Sequence, residues 1–253
     1  MTQSFYKRQN GHFVFYEQHK QKGAKVGIVY LHGLLSSHNS RKGRFLKKAA
    51  KKYGLDYLSF DFTAHGKSWG KPTDWRIGRC LKDAVEVIKA KTDGPQILIG
   101  SSMGGWIGLL ASELMPRRVA GYIGLATGAD FMKNVWENLL TDTLREALQK
   151  GVVFGPSEKT NGYCFSYPMF EDAQKYFLLN RPICYRGPVI LINGDKDLLV
   201  DYRQNFKIQE NLLSKDVQTW IVKGSGHNLS TPKDLKTIRR AIEAILEKIN
   251  KTV

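Results

Sequence analysis

The 253-residue chain is short of cysteine, of acid and of long apolar runs. Its three cysteines, Cys80, Cys164 and Cys184, are an odd number without CxxC or metal-ligand spacing, so the sequence supplies neither a disulfide framework nor a zinc site. No run of about 18 apolar residues occurs, which leaves no candidate for a transmembrane helix. The opening MTQSFYKRQNGHFVFYEQ has no apolar stretch of about 7 to 15 residues before a small-residue cleavage site, and reads against a secretory leader. These shortages point to the cytoplasm, with the mitochondrial matrix as the alternative for a processed chain.

Acid is scarce relative to base: 23 Asp and Glu face 39 Lys and Arg, a formal charge of +16. Clustered Lys and Arg would release counterions from phosphate and steer anionic partners. Yet the basic residues are spread along the chain, from Lys47, Lys48, Lys51 and Lys52 to Lys236, Arg239, Arg240 and Lys248, and no nucleic-acid motif accompanies them. No specific nucleic-acid partner is expected. The excess reads as a solvated basic surface, with attraction of an anionic substrate or membrane surface as the alternative.

What is present fits one α/β domain: 42% hydrophobic and 25% charged residues, in a length able to bury a substantial core. HFVFYEQ and KVGIVYLHG read as an opening pair of strands, and DYLSFDF, PQILIG, VAGYIGLATG, PVILINGD and QTWIVKG continue the series. Helical patterns fall near residues 41–53, 76–91, 103–115, 201–213 and 232–250. The alternation predicts a mostly parallel central sheet with helices on both faces, in a single domain over residues 1–253. From about 130 to 187 the alternation stops and aromatics accumulate, among them Trp136, Phe154, Tyr163, Phe165 and Phe170. That insertion is expected to be a small helical cap over the sheet's carboxyl edge, the alternative being a peripheral layer that never touches substrate.

Between an apolar run and a helical pattern lies Gly100-Ser101-Ser102-Met103-Gly104, a G-x-S-x-G elbow with Ser102 in the nucleophile position. The sharp turn demands small residues two before and two after the serine. It also sets Ser102 at a helix start, where free backbone N–H groups favour developing negative charge.

A serine hydroxyl needs a base, and the base needs an acid to orient it. Chain order in this architecture is Ser, then Asp or Glu, then His. His12, His19, His32, His38 and His65 all precede Ser102, which leaves His227 in KGSGHNLS. Asp195, Asp197 and Asp201 compete for the acid's place after PVILINGD, with Asp130 more distant. In G-x-x-D-x-x-V, Asp197 takes the fourth position and is preferred, while Asp195 reads as a turn residue bonding its own backbone. The backbone N–H groups of Met103 and Leu34 are the expected oxyanion donors. His32 is expected to be a buried loop anchor, and Asp61 and His65 structural.

The motifs HGLLS, DFTAHGKS, GSSMGG, NGDKDLLV and GSGHN, in this order, resemble the α/β-hydrolase superfamily over nearly the whole chain. More narrowly, DGPQILIGSSMGGW, GYIGLATGADF and GVVFGPSE are similar to the mitochondrial palmitoyl-protein thioesterase group, a type associated with cysteine thioesters and acyl glucuronides. The resemblance implies the α/β-hydrolase fold and carries nucleophile, acid and base to Ser102, Asp197 and His227. The expected activity is hydrolysis of an acyl thioester or carboxylic ester, on a small molecule or an acylated protein, through an acyl-enzyme. No metal or other cofactor is expected, and the alternative is a non-catalytic ligand-binding protein on the same fold.

Overall fold

The computed structural model describes residues 1–155 and 162–250. Along the chain run β1 (Thr2–Lys7), β2 (Phe13–His19), β3 (Gly27–Leu31), α1 (Arg41–Lys52), β4 (Asp56–Phe60), α2 (Ile77–Lys91), β5 (Gln96–Ser101) and α3 (Met103–Leu114). They are followed by β6 (Val119–Leu125), α4 (Phe131–Asn134), α5 (Asp142–Gln149), α6 (Tyr167–Gln174), β7 (Val189–Gly194), α7 (Gln204–Asn211), β8 (Val217–Val222) and α8 (Pro232–Asn250). The described strands form one sheet in the order β1-β2-β4-β3-β5-β6-β7-β8. All neighbours from β4 to β8 are parallel, while β1–β2 and β2–β4 are antiparallel.

Three details differ from the sequence expectation. β1 is an additional strand: it is a largely exposed edge, TQSFYK, with too little apolar content to announce itself. HFVFYEQ and KVGIVYLHG are not partners either, because β2 pairs with β1 and β4, and β3 lies between β4 and β5. Every residue of β3 is buried, so it needs a neighbour on each side. The helices expected near 41–53, 76–91, 103–115 and 232–250 form within a residue or so, but 201–213 shortens to Gln204–Asn211. Asp201 accepts the Arg203 N–H at 2.8 Å and holds that start as a turn.

Alternation along the strands divides the core. In β3, Ile28 and Tyr30 face the α1 and α8 side, and Val29 and Leu31 face α2 and α3. The second side is capped by the fully buried Trp106, whose indole N–H donates to Tyr176 O at 3.0 Å. From β3 the chain moves outward to β4, then crosses to the other side of β3 to form β5. That reversal opens a crevice at the carboxyl ends of β3 and β5, the place where such sheets bind ligands.

Between β6 and β7 the chain leaves the sheet through α4, a wider π turn at Val135–Leu139, α5 and α6. Its aromatics pack on one another, with Trp136 4.9 Å from Phe170 and Phe165 5.9 Å from Phe170. Asp172 accepts the Gly78 N–H at 2.8 Å and ties α6 to the start of α2. Within GVVFGPSE, residues 156–158 lie outside the described residues. No helix among the described residues is long and apolar enough to cross a membrane.

Candidate active site

The elbow after β5 is as tight as its glycines suggest. A Cβ on Gly100 would lie 2.7 Å from Gly105 Cα, and one on Gly104 would meet His32 O at 2.5 Å. Ser102 itself sits at φ 53°, ψ −118°, a region that costs a non-glycine residue about 1–3 kcal/mol. The surroundings hold it there: its N–H donates to Leu125 O at 2.9 Å, and its carbonyl accepts from Gly105 and Gly128.

Three side chains meet at this turn from positions far apart in sequence. Ser102 Oγ lies 3.0 Å from His227 Nε2, and His227 Nδ1 lies 2.9 Å and 3.1 Å from the two carboxylate oxygens of Asp197. A carboxylate only accepts, so Nδ1 carries a proton and Nε2 is free to accept from the serine. Burial opposes charge on Asp197, but hydrogen bonds from His227 and the N–H groups of Val200 and Leu199 outweigh it. The carboxyl is held below its ordinary value.

The N–H groups of Leu34 and Met103 have no acceptor among the described residues. Leu34 follows Gly33, where an added Cβ would stand 3.3 Å from Ser102 Cβ, so this backbone passes directly beside the serine. Met103 is the first residue of α3.

The other residues singled out from sequence have different partners. His32 is fully buried, with Nδ1 2.7 Å from Gly33 O and Nε2 accepting the Phe62 N–H. Burial, reinforced by the neighbouring His65, lowers its pKa to about 3 and keeps it neutral. Asp61 accepts from the His38 N–H, His38 Nδ1 and the Lys67 N–H, while His65 bonds Thr63 O. Asp130 accepts from the Leu178 and Leu179 N–H groups at 2.8 and 2.9 Å, well occupied away from the histidine. Asp201 is engaged by Arg203. Asp195 corrects the expectation of a self-bonded turn: it binds the Gly224 N–H and Lys223, across the gap to the loop after β8.

Three further contacts position the site, and only one of them has a local signal in the sequence. Lys42 of α1, only 7% exposed, donates to Asn228 O beside His227. Asp234 accepts from Ser225 Oγ and from the Thr231 N–H and hydroxyl, pinning both ends of the His227 loop. Asn193 Nδ2 donates to Val200 O at 3.0 Å and so braces the Asp197 loop. Thr231-x-x-Asp234 is a helix-start pattern legible in sequence. The Lys42 contact spans 186 residues and leaves no local trace.

Beside Ser102 and His227 opens a cavity of about 690 Å³, within the roughly 300–1,000 Å³ usual for small-molecule sites. Its walls are chiefly apolar: Phe131, Val135, Leu140, Phe154 and Phe165 from the β6–β7 insertion, with Val200 from the acid loop.

Comparison with known proteins agrees with this architecture. Residues 27–154 match the alpha/beta hydrolase fold family. The chain is 31% identical over 236 residues to the mitochondrial palmitoyl-protein thioesterase ABHD10 of Homo sapiens, covering 92% of this chain and 77% of that one. The Bos taurus protein of the same name is 30% identical over 234 residues, with 92% and 76% covered. The structure of alpha/beta hydrolase domain-containing protein 10 from mouse superposes with a TM-score of 0.90 at 28% identity, covering 98% of this chain and 100% of that one. Est1E from Butyrivibrio proteoclasticus, solved with ferulic acid bound, shares the fold at 20% identity and a TM-score of 0.82, over 98% and 100% of the two chains.

The chain belongs to the α/β-hydrolase family and is a hydrolase. Within that family it resembles the mitochondrial palmitoyl-protein thioesterases. Their names count against the cytoplasmic placement expected from the cysteines and agree with the mitochondrial alternative. Three free thiols fit any compartment that keeps thiols reduced, so they have no power to separate the two.

Proposed function

We propose that the protein is a serine hydrolase of acyl thioesters and carboxylic esters, with long-chain S-acylated protein as its leading substrate class. The observation that carries this reading is the continuous hydrogen-bonded line from Ser102 Oγ to His227 Nε2 and from His227 Nδ1 to Asp197, opening onto an apolar cavity. As Ser102 Oγ attacks the carbonyl carbon, His227 Nε2 takes its proton, and the N–H groups of Leu34 and Met103 receive the oxyanion. Collapse of the tetrahedral adduct breaks the C–S or C–O bond. His227 then returns the proton to the leaving thiolate or alkoxide. Water, deprotonated by the same imidazole, releases the acid and restores the serine.

The segment from 130 to 187 acts in this scheme as a cap within the single domain, since its side chains supply most of the apolar wall. The thioester preference and the mitochondrial placement rest on the names of the relatives. A fluorophosphonate probe should label the protein, and Ser102→Ala should abolish both labelling and acyl release. Failure to label, with ligand still bound in the cavity, would assign the site to binding alone.

A further inference from the structure

The basic residues that look scattered in sequence are gathered by the fold. α1 and α8 pack side by side on one face of the sheet, where Tyr53 OH donates to Glu243 at 2.5 Å and the Arg239 guanidinium lies 5.8 Å from the Phe45 ring centre. α1 contains no acid and exposes Arg41, Arg44, Lys48 and Lys51. α8 adds Lys236 and Arg240, also exposed. Lys47 pairs with Glu17 and Lys248 with Asp216, but these six form no ion pair among the described residues.

The cavity beside Ser102 is walled by other elements and differs in charge. Residues 131–155 hold three acidic and three basic residues. Each base there is paired: Lys133 with Glu137, Arg145 with Asp142, and Lys150 with Glu146. The acyl side is therefore apolar and electrically balanced, whereas the α1–α8 face carries an excess of positive charge: α8 contributes Glu243, bonded to Tyr53, and the exposed Glu247, against six exposed bases with no ion pair among the described residues.

His227 links this asymmetry to the reaction. Its loop leads into α8, and Lys42 near the start of α1 holds its carbonyl at Asn228. Because His227 protonates the leaving thiol, the thiol portion of the substrate lies on the His227 side, toward the ends of α1 and α8 nearest the site. We infer that the α1–α8 face docks an acidic protein segment bearing the S-acyl cysteine, while the acyl chain enters the cavity lined by the β6–β7 insertion. The orientation rests on the reading of Ser102 as nucleophile and His227 as its base. Complementary charge on such a face raises encounter and fades as salt screens it.

The test uses two peptides carrying an octanoyl thioester on one cysteine, one flanked by Asp and Glu and one by Ser. The parent should turn over the acidic peptide with a kcat/KM at least about tenfold higher at low salt, and the preference should shrink as salt rises. The charge-reversed variant K48E/K51E/K236E/R240E should lose the preference while keeping its rate on a small neutral octanoyl thioester. The neutral set K48Q/K51Q/K236Q/R240Q provides the same readout if the reversed protein folds poorly. Binding of the acidic peptide to Ser102→Ala, followed by fluorescence anisotropy, reports docking without chemistry. Equal rates on both peptides, or an unchanged preference in the charge variants, would overturn the proposal. Tighter binding of RNA or of phosphatidylglycerol vesicles than of the acidic peptide would overturn it too. Absence of turnover on every thioester, with charge-dependent peptide binding intact, would instead strike the nucleophile reading and leave only the docking face.

Discussion

Replacing Asp197 by asparagine removes one charge and almost no volume, and the surrounding hydrogen bonds dictate how the triad responds. Asp197 Oδ1 accepts from the N–H groups of Leu199 and Val200, both at 2.9 Å. The asparagine oxygen must stay at that position, because an NH2 there would set donors against donors. Its NH2 then occupies the Oδ2 position, 2.9 Å from His227 Nδ1, and requires that nitrogen to accept. The ring proton consequently moves to Nε2, the atom 3.0 Å from Ser102 Oγ. A nitrogen already protonated cannot take the serine's proton. The expected loss in kcat is about 10⁴-fold, the scale for a triad locked in the wrong tautomer, or about 5.4 kcal/mol. KM should change little, because the cavity is untouched.

The same substitution has a signature in stability. The folded-state carboxyl lies below its ordinary value of 3.8, so its ionised form stabilises the fold above that pH, and this contribution is lost as pH falls through the depressed value. The stability gap between parent and Asp197→Asn should therefore exist at pH 7 and close in acid. Steady-state thioester hydrolysis and thermal melts at several pH values read both effects. A well-folded Asp197→Asn protein retaining kcat within tenfold of the parent would refute the tautomer argument.

Two further substitutions separate folding from chemistry. Gly104→Ala puts a methyl group 2.5 Å from His32 O, where both walls are backbone, and should lower stability by about 1–3 kcal/mol or more, seen as a reduced melting temperature. Lys42→Met should be at least as stable as the parent at pH 7. Burial lowers the Lys42 pKa from 10.5 to about 8, a difference worth about 3 kcal/mol that is borne while the ammonium is charged. The native state holds fewer protons than the unfolded chain between those values, so the parent gains stability as pH rises through that window and the variant's advantage should disappear. A Lys42→Met protein less stable at pH 7 would mean that the bond to Asn228 O outweighs the cost of burial.

The Ser102 elbow is legible because its signal is local: two glycines flanking a serine between an apolar run and a helix allow one tight turn, and the crowding at Gly100 and Gly104 matches it. His227 is legible by elimination, since it is the only histidine after Ser102. Asp197 needs a spacing rule to separate it from Asp195 two residues away, and the coordinates show why the two differ. The chain turns so that one carboxylate reaches the imidazole while the other reaches the Gly224 N–H. Edge strand β1 escapes notice because a strand with one partner need not be apolar, and β2 invites the wrong pairing because hydrophobic pattern reports burial and not the identity of a neighbour.

By itself the sequence determined the alternation of strands and helices, the tight turn at Ser102 and the order in which Asp197 and His227 come after it, because each is set by residues within a few positions of one another or by chain order alone. Tertiary structure alone decided which strands are neighbours and that Lys42 holds the His227 loop. It also decided that Asn193 braces the acid loop and that charges distributed over both ends of the chain share one face. Those are contacts between segments brought together by closure of the sheet, and pairwise distances across so much intervening chain leave no periodicity to read.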